Sequence, residues 1–348
     1  MTHKMDVAPA LIAWHARHGR HDLPWQRDPT PYRVWISEIM LQQTQVGTVI
    51  AYFDRFIARF PDVRGLAAAP LDEVLHLWSG LGYYSRARNL HRAAQTIVAE
   101  HGGELPADTA ALATLPGIGR STAAAIRALS AGDRVAILDG NVRRVLARYF
   151  AVNGVTTKHA VQEQLWELAA SCTPERDVAV YTQAIMDLGA AVCVRRRPLC
   201  PVCPLQHSCV AQRTGRQHEI PAVRPRAARR TRSVVMLLAR QDDGSVLLER
   251  RAERGVWGGL WCPPQFPSIE AARLYAQTRL QAAEVEPQSR TIRRHAFTHF
   301  ELEISPLLAR CAGWNGVMDG SPLLWYNPAS PARLGLPAPV TALIQSLP

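Results

Sequence analysis

Two carboxylates, one glycine turn and four cysteines stand out in this 348-residue chain as groups that could do chemistry. Leu115-Pro116-Gly117-Ile118-Gly119 sets two glycines around one apolar residue, directly before the helix-forming run 121–129. It reads as a tight hairpin feeding a helix N-terminus. Free backbone N–H groups at the positive end of a helix dipole suit an anion, and in a basic chain the natural anion is a nucleic-acid phosphate. Taken alone, the pentapeptide serves equally as a generic Gly-x-Gly turn. Asp139 follows Gly119 by twenty residues and ends the apolar run Val135-Ala136-Ile137-Leu138. A carboxylate beside a phosphate clamp repels the backbone that the clamp attracts, so it makes sense where something cationic forms. Glu38 lies between Ile36 and Ile39 in a helical apolar pattern, where an acid is costly unless it is hydrogen-bonded, functional or turned to the polar face. Cys193, Cys200, Cys203 and Cys209 fall within 17 residues, separated by six, two and five others, in a loop punctuated by Pro198, Pro201 and Pro204. Four thiolates this close argue for metal, either a four-iron cluster or a structural zinc. The lack of a paired C-x-x-C repeat weighs against a zinc ribbon.

Polar and aromatic residues accompany these groups. Gln42-Gln43-Thr44-Gln45 is a run of amide and hydroxyl side chains of the kind that reads and replaces base edges. Gly80-Leu81-Gly82-Tyr83-Tyr84 puts an aromatic pair on a glycine-flexed loop beside Arg86, Arg88 and Arg92. Insertion into a base stack suits Tyr83, and packing at a helix junction is the alternative for both tyrosines. Arg195-Arg196-Arg197, inside the cysteine loop, offers positive charge to a phosphate backbone.

The elements that must position these residues are helical up to about residue 210. Apolar spacing predicts helices over 7–20, 31–60, 71–78, 85–101, 141–150, 158–171 and 178–191, with His21 to Trp25 extended between the first two. With almost no β-branched alternation, this half reads as all-α. Residues 216–232 turn to proline and arginine and read as a charged linker. Period-two strands follow over 233–239, 245–250 and 300–308, with helices over 269–280 and 340–347, which makes 233–348 a small α/β domain. The chain is therefore multidomain, with divisions at 1–215, 216–232 and 233–348.

Composition narrows the class of function. A net charge of +11 and a pI near 9.8 point to a polyanionic partner. Of the 40 basic residues only Lys4 and Lys158 are lysine. Arginine-favouring base composition explains that imbalance more simply than selection for phosphate contacts. No apolar run reaches the roughly 20 residues of a membrane-spanning helix, and the start has no signal-peptide pattern. A cytoplasmic protein is expected. Seven cysteines, unevenly spread, do not form a disulfide framework, and Cys172, Cys262 and Cys311 read as isolated buried thiols.

The segments WISEIMLQQTQV, GLGYYSRARNL, LPGIGRSTAAAI, ILDGNVRRVLAR, GVWGGLWCPPQF and HAFTHFELEI, with the six-two-five cysteine spacing, resemble in order the MutY-type adenine-DNA glycosylase family. That family lies within the endonuclease-III-like helix-hairpin-helix superfamily. The resemblance implies an all-α helix-hairpin-helix glycosylase domain with a cluster loop over 193–209, and a Nudix-like α/β domain after it. It implies one four-iron, four-sulfur cluster on Cys193, Cys200, Cys203 and Cys209. The implied partner is double-stranded DNA containing adenine opposite 8-oxoguanine or guanine, bound by a monomer at a bacterial-type nucleoid. Glu38 is the implied general acid and Asp139 the stabiliser of the sugar cation, with Asn141 and Ser121 in the same catalytic group. Trp25 and Gln183 line the implied adenine pocket. Gln43, Thr44, Leu81, Tyr83, Arg86, Gly117, Gly119, Thr298 and His299 are the implied contacts to DNA and to the opposite base.

Residue chemistry is consistent with this assignment. Adenine leaves a sugar readily only when protonated, and the oxocarbenium-like residue needs an anion nearby. Two carboxylates in different environments supply both. Glu38, among Ile36, Ile39 and Met40, is expected with its pKa raised toward neutrality, and Asp139, at a helix start beside Asn141, ionised. Ser121 stands where superfamily members with lyase activity carry lysine, so strand cleavage through a Schiff base is not expected; a bifunctional glycosylase/lyase is the alternative. A Nudix pyrophosphohydrolase fused to a DNA-binding module is a further alternative. Its magnesium site needs a glutamate-rich helix, and IEAARLYAQTRLQ holds only Glu270. Recognition of the opposite base then falls to the second domain, where Thr298 and His299 in the 295–300 turn can hydrogen-bond a purine edge, while Phe297 and Phe300 form its aromatic core.

Overall fold

The computed structural model describes residues 7–222, 228–282, 284–287, 292–311 and 322–347. The chain divides into two compact units, one of Met1–Ala68 with Asn89–Pro225 and one of Ala69–Arg88 with Arg226–Pro348. Among the described residues the first unit has no strand. Along the chain run α1 Val7–His18, α2 Pro31–Leu41, α3 Val46–Arg59, α4 Val63–Ala68, α5 Leu71–Trp78, α6 Ser85–Glu100, α7 Thr109–Thr114, α8 Arg120–Ala131, α9 Gly140–Tyr149, α10 His159–Cys172, α11 Val178–Ala191 and α12 Val210–Arg213. Of these, α5 belongs to the second unit and α6 starts there.

The 31–60 run is two helices rather than one. Gln43 adopts a left-handed backbone with φ 59°, which an α-helix excludes, so the polar quartet is a turn between α2 and α3. Pro24–Gln26 is a single 3₁₀ turn in place of an extended segment, pinned where Arg33 Nη2 donates to Pro24 O at 2.8 Å. The core of this unit forms where Val142, Val145, Leu146 and Tyr149 of α9 meet Leu165 and Ala169 of α10 and Tyr181, Ile185 and Leu188 of α11. Their spacing of three and four residues gives each helix one apolar face. Residues just past 215 pack here too, since Ile220 is buried and its carbonyl accepts from Arg148 Nε at 2.8 Å. The start of the expected linker is thus part of the helical core, and its end, Arg230 to Arg232, is already strand.

The second unit is built on one sheet, from β1 Arg230–Arg240, β2 Val246–Arg250, β3 Trp261–Cys262, β4 Gln265–Phe266, β5 Glu284–Pro287, β6 Arg293–Ala296, β7 Phe300–Arg310 and β8 Leu323–Tyr326. The order is β3-β2-β1-β7-β5, with β4 beside β1, β6 beside β7 and β8 beside β2. β1 runs parallel to β7, Val234 opposite Ile304, and antiparallel to β2. Helix α13 Ile269–Arg279, capped by Ser268, sets Ala272 and Ala276 on Leu237, Leu247 and Leu307, and α14 Ala338–Gln345 closes the chain. Residues 69–88, read from sequence as part of the glycosylase half, pack in this unit. Trp261 Nε1 donates to Asp72 Oδ1 at 3.1 Å, and the Tyr84 hydroxyl donates to Leu336 O at 3.1 Å.

The hairpin forms as its residues dictate: α7, the turn at 115–119, then α8 with Gly119 as N-cap. Gly117 has φ 81°, and a Cβ there would lie 2.8 Å from Asn89 Cβ. Gly119 has φ −95° and open space over its Cα. Gly117→Ala should therefore destabilise the protein by about 1–3 kcal/mol, read as a lowered Tm in thermal unfolding. Gly119→Ala should cost clearly less, and equal losses would contradict this account of the turn.

Candidate active site

Asp139 is the N-cap of α9. Its Oδ1 accepts the Val142 N–H at 2.7 Å and its Oδ2 accepts Asn141 Nδ2 at 3.2 Å, so both oxygens are oriented by the first turn of the helix they cap. The residue before it is fixed as well, because the Leu138 N–H donates to Ser121 Oγ at 3.0 Å. Ser121, on the first turn of α8, thereby ties the hairpin helix to the segment that delivers Asp139. Gly189 of α11 passes so close that a Cβ there would fall 2.6 Å from Asn141 Cβ, which leaves room for no side chain. Burial raises the Asp139 carboxyl above its ordinary value, opposed by the Val142 and Asn141 hydrogen bonds and the Arg144 charge.

Glu38 sits on α2, a helix buried on almost every side by Val34, Trp35, Ile36, Ile39 and Met40, and α2 packs on α8. The residue keeps some surface open to solvent, while its carboxyl is crowded by protein: reachable, yet poorly hydrated. Burial, and after it the charge of Asp139, pushes Glu38 up to about 8, and among the described residues no hydrogen bond opposes the shift. The charge of Asp139 thus opposes a second charge on Glu38. At neutral pH Glu38 is held as a carboxylic acid beside a second carboxyl group that the start of α9 hydrogen-bonds, and an acid next to a group suited to carry negative charge is what a reaction needs that protonates a leaving group and builds positive charge on what remains.

The other residues of the helical unit expected at the site fall into distinct settings. Trp25 is buried edge-on to Phe53, ring centroids 5.5 Å apart. Gln183 is buried on α11 and donates Nε2 to Asp187 Oδ1 at 2.9 Å. Gln43 is exposed at the α2–α3 turn, and Thr44 beside it is half-buried.

In the second unit, Tyr83 and Tyr84 separate. Tyr84 anchors its loop through Leu336, whereas Tyr83, at φ 48°, is 45% exposed. Its hydroxyl lies 2.9 Å from the hydroxyl of Thr298, in the turn between β6 and β7, and His299 beside it is exposed. Phe297 and Phe300 stack at 4.5 Å within that turn. Two expected DNA contacts are placed otherwise. Leu81 is buried under the loop. Arg86 is buried too, donating to the carbonyls of Leu81 and Gly82 at 3.2 and 3.1 Å, with its guanidinium over the Trp78 ring; burial lowers it to about 10. In this structure Arg86 supports the loop from beneath instead of facing solvent.

The four loop cysteines line a single small cavity with Val145, Arg148 and Leu205. Arg148 Nη1 is 3.3 Å from Cys193 Sγ and 2.8 Å from Val194 O, and Arg144 Nε donates to Cys193 O at 2.7 Å. Burial, with the neighbouring sulfurs adding, pushes Cys203 up to about 12 and raises Cys200 and Cys209. Separate thiolates are unfavourable in such a cage, and a cationic centre shared among them relieves that cost, so the donor set fits an iron–sulfur group. Among the described residues no three His, Cys, Asp or Glu side chains gather closely enough for a single metal ion. Arg144 and Arg148 escape a motif search, although their signal is visible: two arginines one turn apart on the apolar helix that follows Asp139. Arg144 Nη2 also donates to Asn141 Oδ1 at 2.9 Å, so one helix carries the carboxylate at its start and grips the cysteine loop along its side.

Residues 36–171 match the HhH-GPD superfamily of base excision DNA repair proteins, and residues 234–346 match the NUDIX domain. The adenine DNA glycosylase of Buchnera aphidicola subsp. Acyrthosiphon pisum is 36% identical over 340 residues, 97% of this chain and 96% of its own length. That of Homo sapiens is 42% identical over 222 residues, 61% of this chain and 40% of its own. A solved thermostable thymine-DNA glycosylase superposes with a TM-score of 0.55 at 28% identity, covering 60% of this chain and 95% of that one. With an acid and a carboxylate set beside a helix-hairpin-helix, and with likeness over nearly its full length, the chain belongs to the adenine DNA glycosylase family and is a DNA N-glycosylase of base excision repair.

Proposed function

We propose that this glycosylase excises adenine mispaired with 8-oxoguanine or guanine in duplex DNA, as a monofunctional monomer working at the nucleoid in the cytoplasm. The observation that carries the proposal is the pairing of Glu38, held as an acid up to about pH 8, with a neighbouring Asp139 whose charge adds to that shift and whose oxygens are held by the start of α9. Adenine, unstacked at a cost of roughly a few kcal/mol, enters against Trp25 and Gln183. Glu38 gives it a proton, so that it departs neutral. Asp139, steadied by Asn141 and with its approach fixed by Ser121, faces the cationic sugar left behind, and water then adds to the sugar carbon and gives up a proton to the Glu38 carboxylate, which completes hydrolysis of the N-glycosidic bond.

Strand cleavage through a Schiff base is outside this scheme. It needs an amine, Ser121 stands at the hairpin position, and neither Lys4 nor Lys158 lies in the hairpin. Phosphates meet the N–H groups at Gly117 and Gly119 and the exposed Arg195, Arg196 and Arg197. Domain 1–215 carries the excision, and domain 233–348 reads the opposite base through Thr298 and His299, next to the exposed Tyr83, with Gln43 and Thr44 filling the opened duplex. A Nudix hydrolase reading is disfavoured by α13, where Glu270 is the one acid and is exposed. Cys193, Cys200, Cys203 and Cys209 would hold one 4Fe–4S cluster, which when bound supplies a four-point cross-link for the 193–209 loop.

Excision in single turnover, read by alkaline cleavage at the abasic site, tests the assignment. Glu38→Gln and Asp139→Asn should each slow adenine release at least about a hundredfold with little change in mismatch affinity, and a variant that keeps most of the wild-type rate would exclude its residue from the reaction. The raised Glu38 also sets a sign for stability. The folded state binds a proton that the unfolded chain releases between about pH 4.5 and 8, so wild-type stability falls as pH rises through that window. The Tm of Glu38→Gln should exceed the wild-type Tm by a margin that grows from pH 5 to pH 8; a constant margin would contradict the shift. Purified protein should contain iron and acid-labile sulfide near four of each per chain, and stoichiometric zinc in their place would refute the cluster.

A further inference from the structure

A buried polar cluster sits behind Gln183 on α11. Asp187, one turn further along and 2% exposed, accepts at Oδ1 from Gln183 Nε2 at 2.9 Å and from Arg20 Nε at 2.8 Å, with Arg20 Nη2 also bound there; Oδ2 accepts the Arg20 backbone N–H at 2.9 Å. His15, packed against the end of α1 at Gly19, brings Nε2 to 3.4 Å from Oδ2 without forming a hydrogen bond. Nothing in the reaction as described uses Asp187, yet it is ion-paired and buried beside a residue of the base pocket.

We propose that Asp187 is a positioning residue that makes this enzyme selective for a 6-amino purine, by fixing the side-chain amide of Gln183 with its oxygen toward the bound base. The inference rests on the reading of Gln183 as a pocket residue. An isolated glutamine amide can turn over, exchanging a donor for an acceptor at nearly the same place. Here it cannot. Asp187 receives the Arg20 guanidinium and offers only acceptors, so turning the amide would set Oε1 against a carboxylate and leave a buried acceptor facing an acceptor. With Nε2 committed to Asp187, Oε1 receives no donor among the described residues. An acceptor held in that direction takes a hydrogen from the exocyclic amine of adenine. It opposes the carbonyl that hypoxanthine and guanine carry at the same position, and a site that leaves a buried acceptor unpaired rejects such a ligand. Selectivity between amino and oxo purines then depends on Asp187, a residue that does not touch the base.

The test uses the full chain and duplexes with adenine or hypoxanthine opposite 8-oxoguanine, measuring single-turnover excision by wild type, Asp187→Asn, Gln183→Leu and Arg20→Gln. In Asp187→Asn the partner amide can donate as well as accept, Gln183 is free to turn, and the adenine-to-hypoxanthine rate ratio should fall at least about tenfold. Gln183→Leu, which has no amide to orient, should lower the ratio as much and serves if Asp187→Asn does not fold. Arg20→Gln removes the ion pair but leaves the carboxylate on Gln183, so it should lower Tm and keep the ratio. Equal slowing of both substrates in folded Asp187→Asn or Gln183→Leu would overturn the proposal, because a purely structural role predicts that outcome. Wild-type protein that leaves adenine in place would remove the reading on which the proposal rests.

Discussion

In the proposed reaction Asp139 has to be buried and charged at once, and much of the helical unit exists in a form that permits this. Burial opposes charge, as the upward pull on its carboxyl records. The opposition comes from the start of α9, whose free N–H groups and dipole favour an anion at the cap, from Asn141, and from Arg144. None of these is in place unless α9 is. That helix is held at one end by the Leu138–Ser121 bond to the hairpin, along its length by the apolar face shared with α10 and α11, and on its side by the grip of Arg144 and Arg148 on the cysteine loop. The cysteine loop and the Asp139 carboxylate are therefore two ends of one rigid support, with the glycine at 189 giving the clearance that lets α11 close over Asn141.

Glu38 depends on the same arrangement from the opposite side. A carboxyl among isoleucines has its charged form penalised by burial alone, and a neighbouring carboxylate that is already ionised adds repulsion to any second charge. The two groups cannot be alike, and the hydrogen bonds decide which is which: they converge on Asp139 and leave Glu38 bare. An acid and an anion are produced from chemically similar side chains by unequal solvation, without any third group titrating between them.

The sequence made the fold class legible wherever periodicity was strong. The apolar spacing in α9, α11 and α13 and the alternation in β1 and β7 gave elements whose ends shift by at most three residues in the structure. It failed where a backbone choice outweighs pattern. Gln43 breaks a run that periodicity carries through, because one left-handed residue ends a helix whatever follows. Residues 69–88 precede the hairpin in sequence but pack with the sheet, since Trp261 and Leu336 supply their partners from far along the chain. At the site, residue types announced themselves when they were costly, as with Glu38 in an apolar helix and four clustered cysteines. Arginines did not, in a chain with so many of them. Arg86 reads as a phosphate contact and is a buried strut, while Arg144 and Arg148, marked in the sequence only by their one-turn spacing, grip the loop. Asp187 was invisible for a related reason: its meaning lies in Arg20, 167 positions away, and no spacing rule connects the two.

The central claim is a division of protonation between two carboxyl groups, and it can be observed directly in the resting protein. Carbon-13 labelling of glutamate and aspartate side chains, with Glu38→Gln and Asp139→Asn as assignment controls, allows both carboxyl resonances to be followed by NMR across the pH range. The account predicts that Asp139 loses its proton first and that Glu38 titrates near 8. A Glu38 resonance that titrates in the ordinary carboxylate range, or that moves before Asp139, would contradict it.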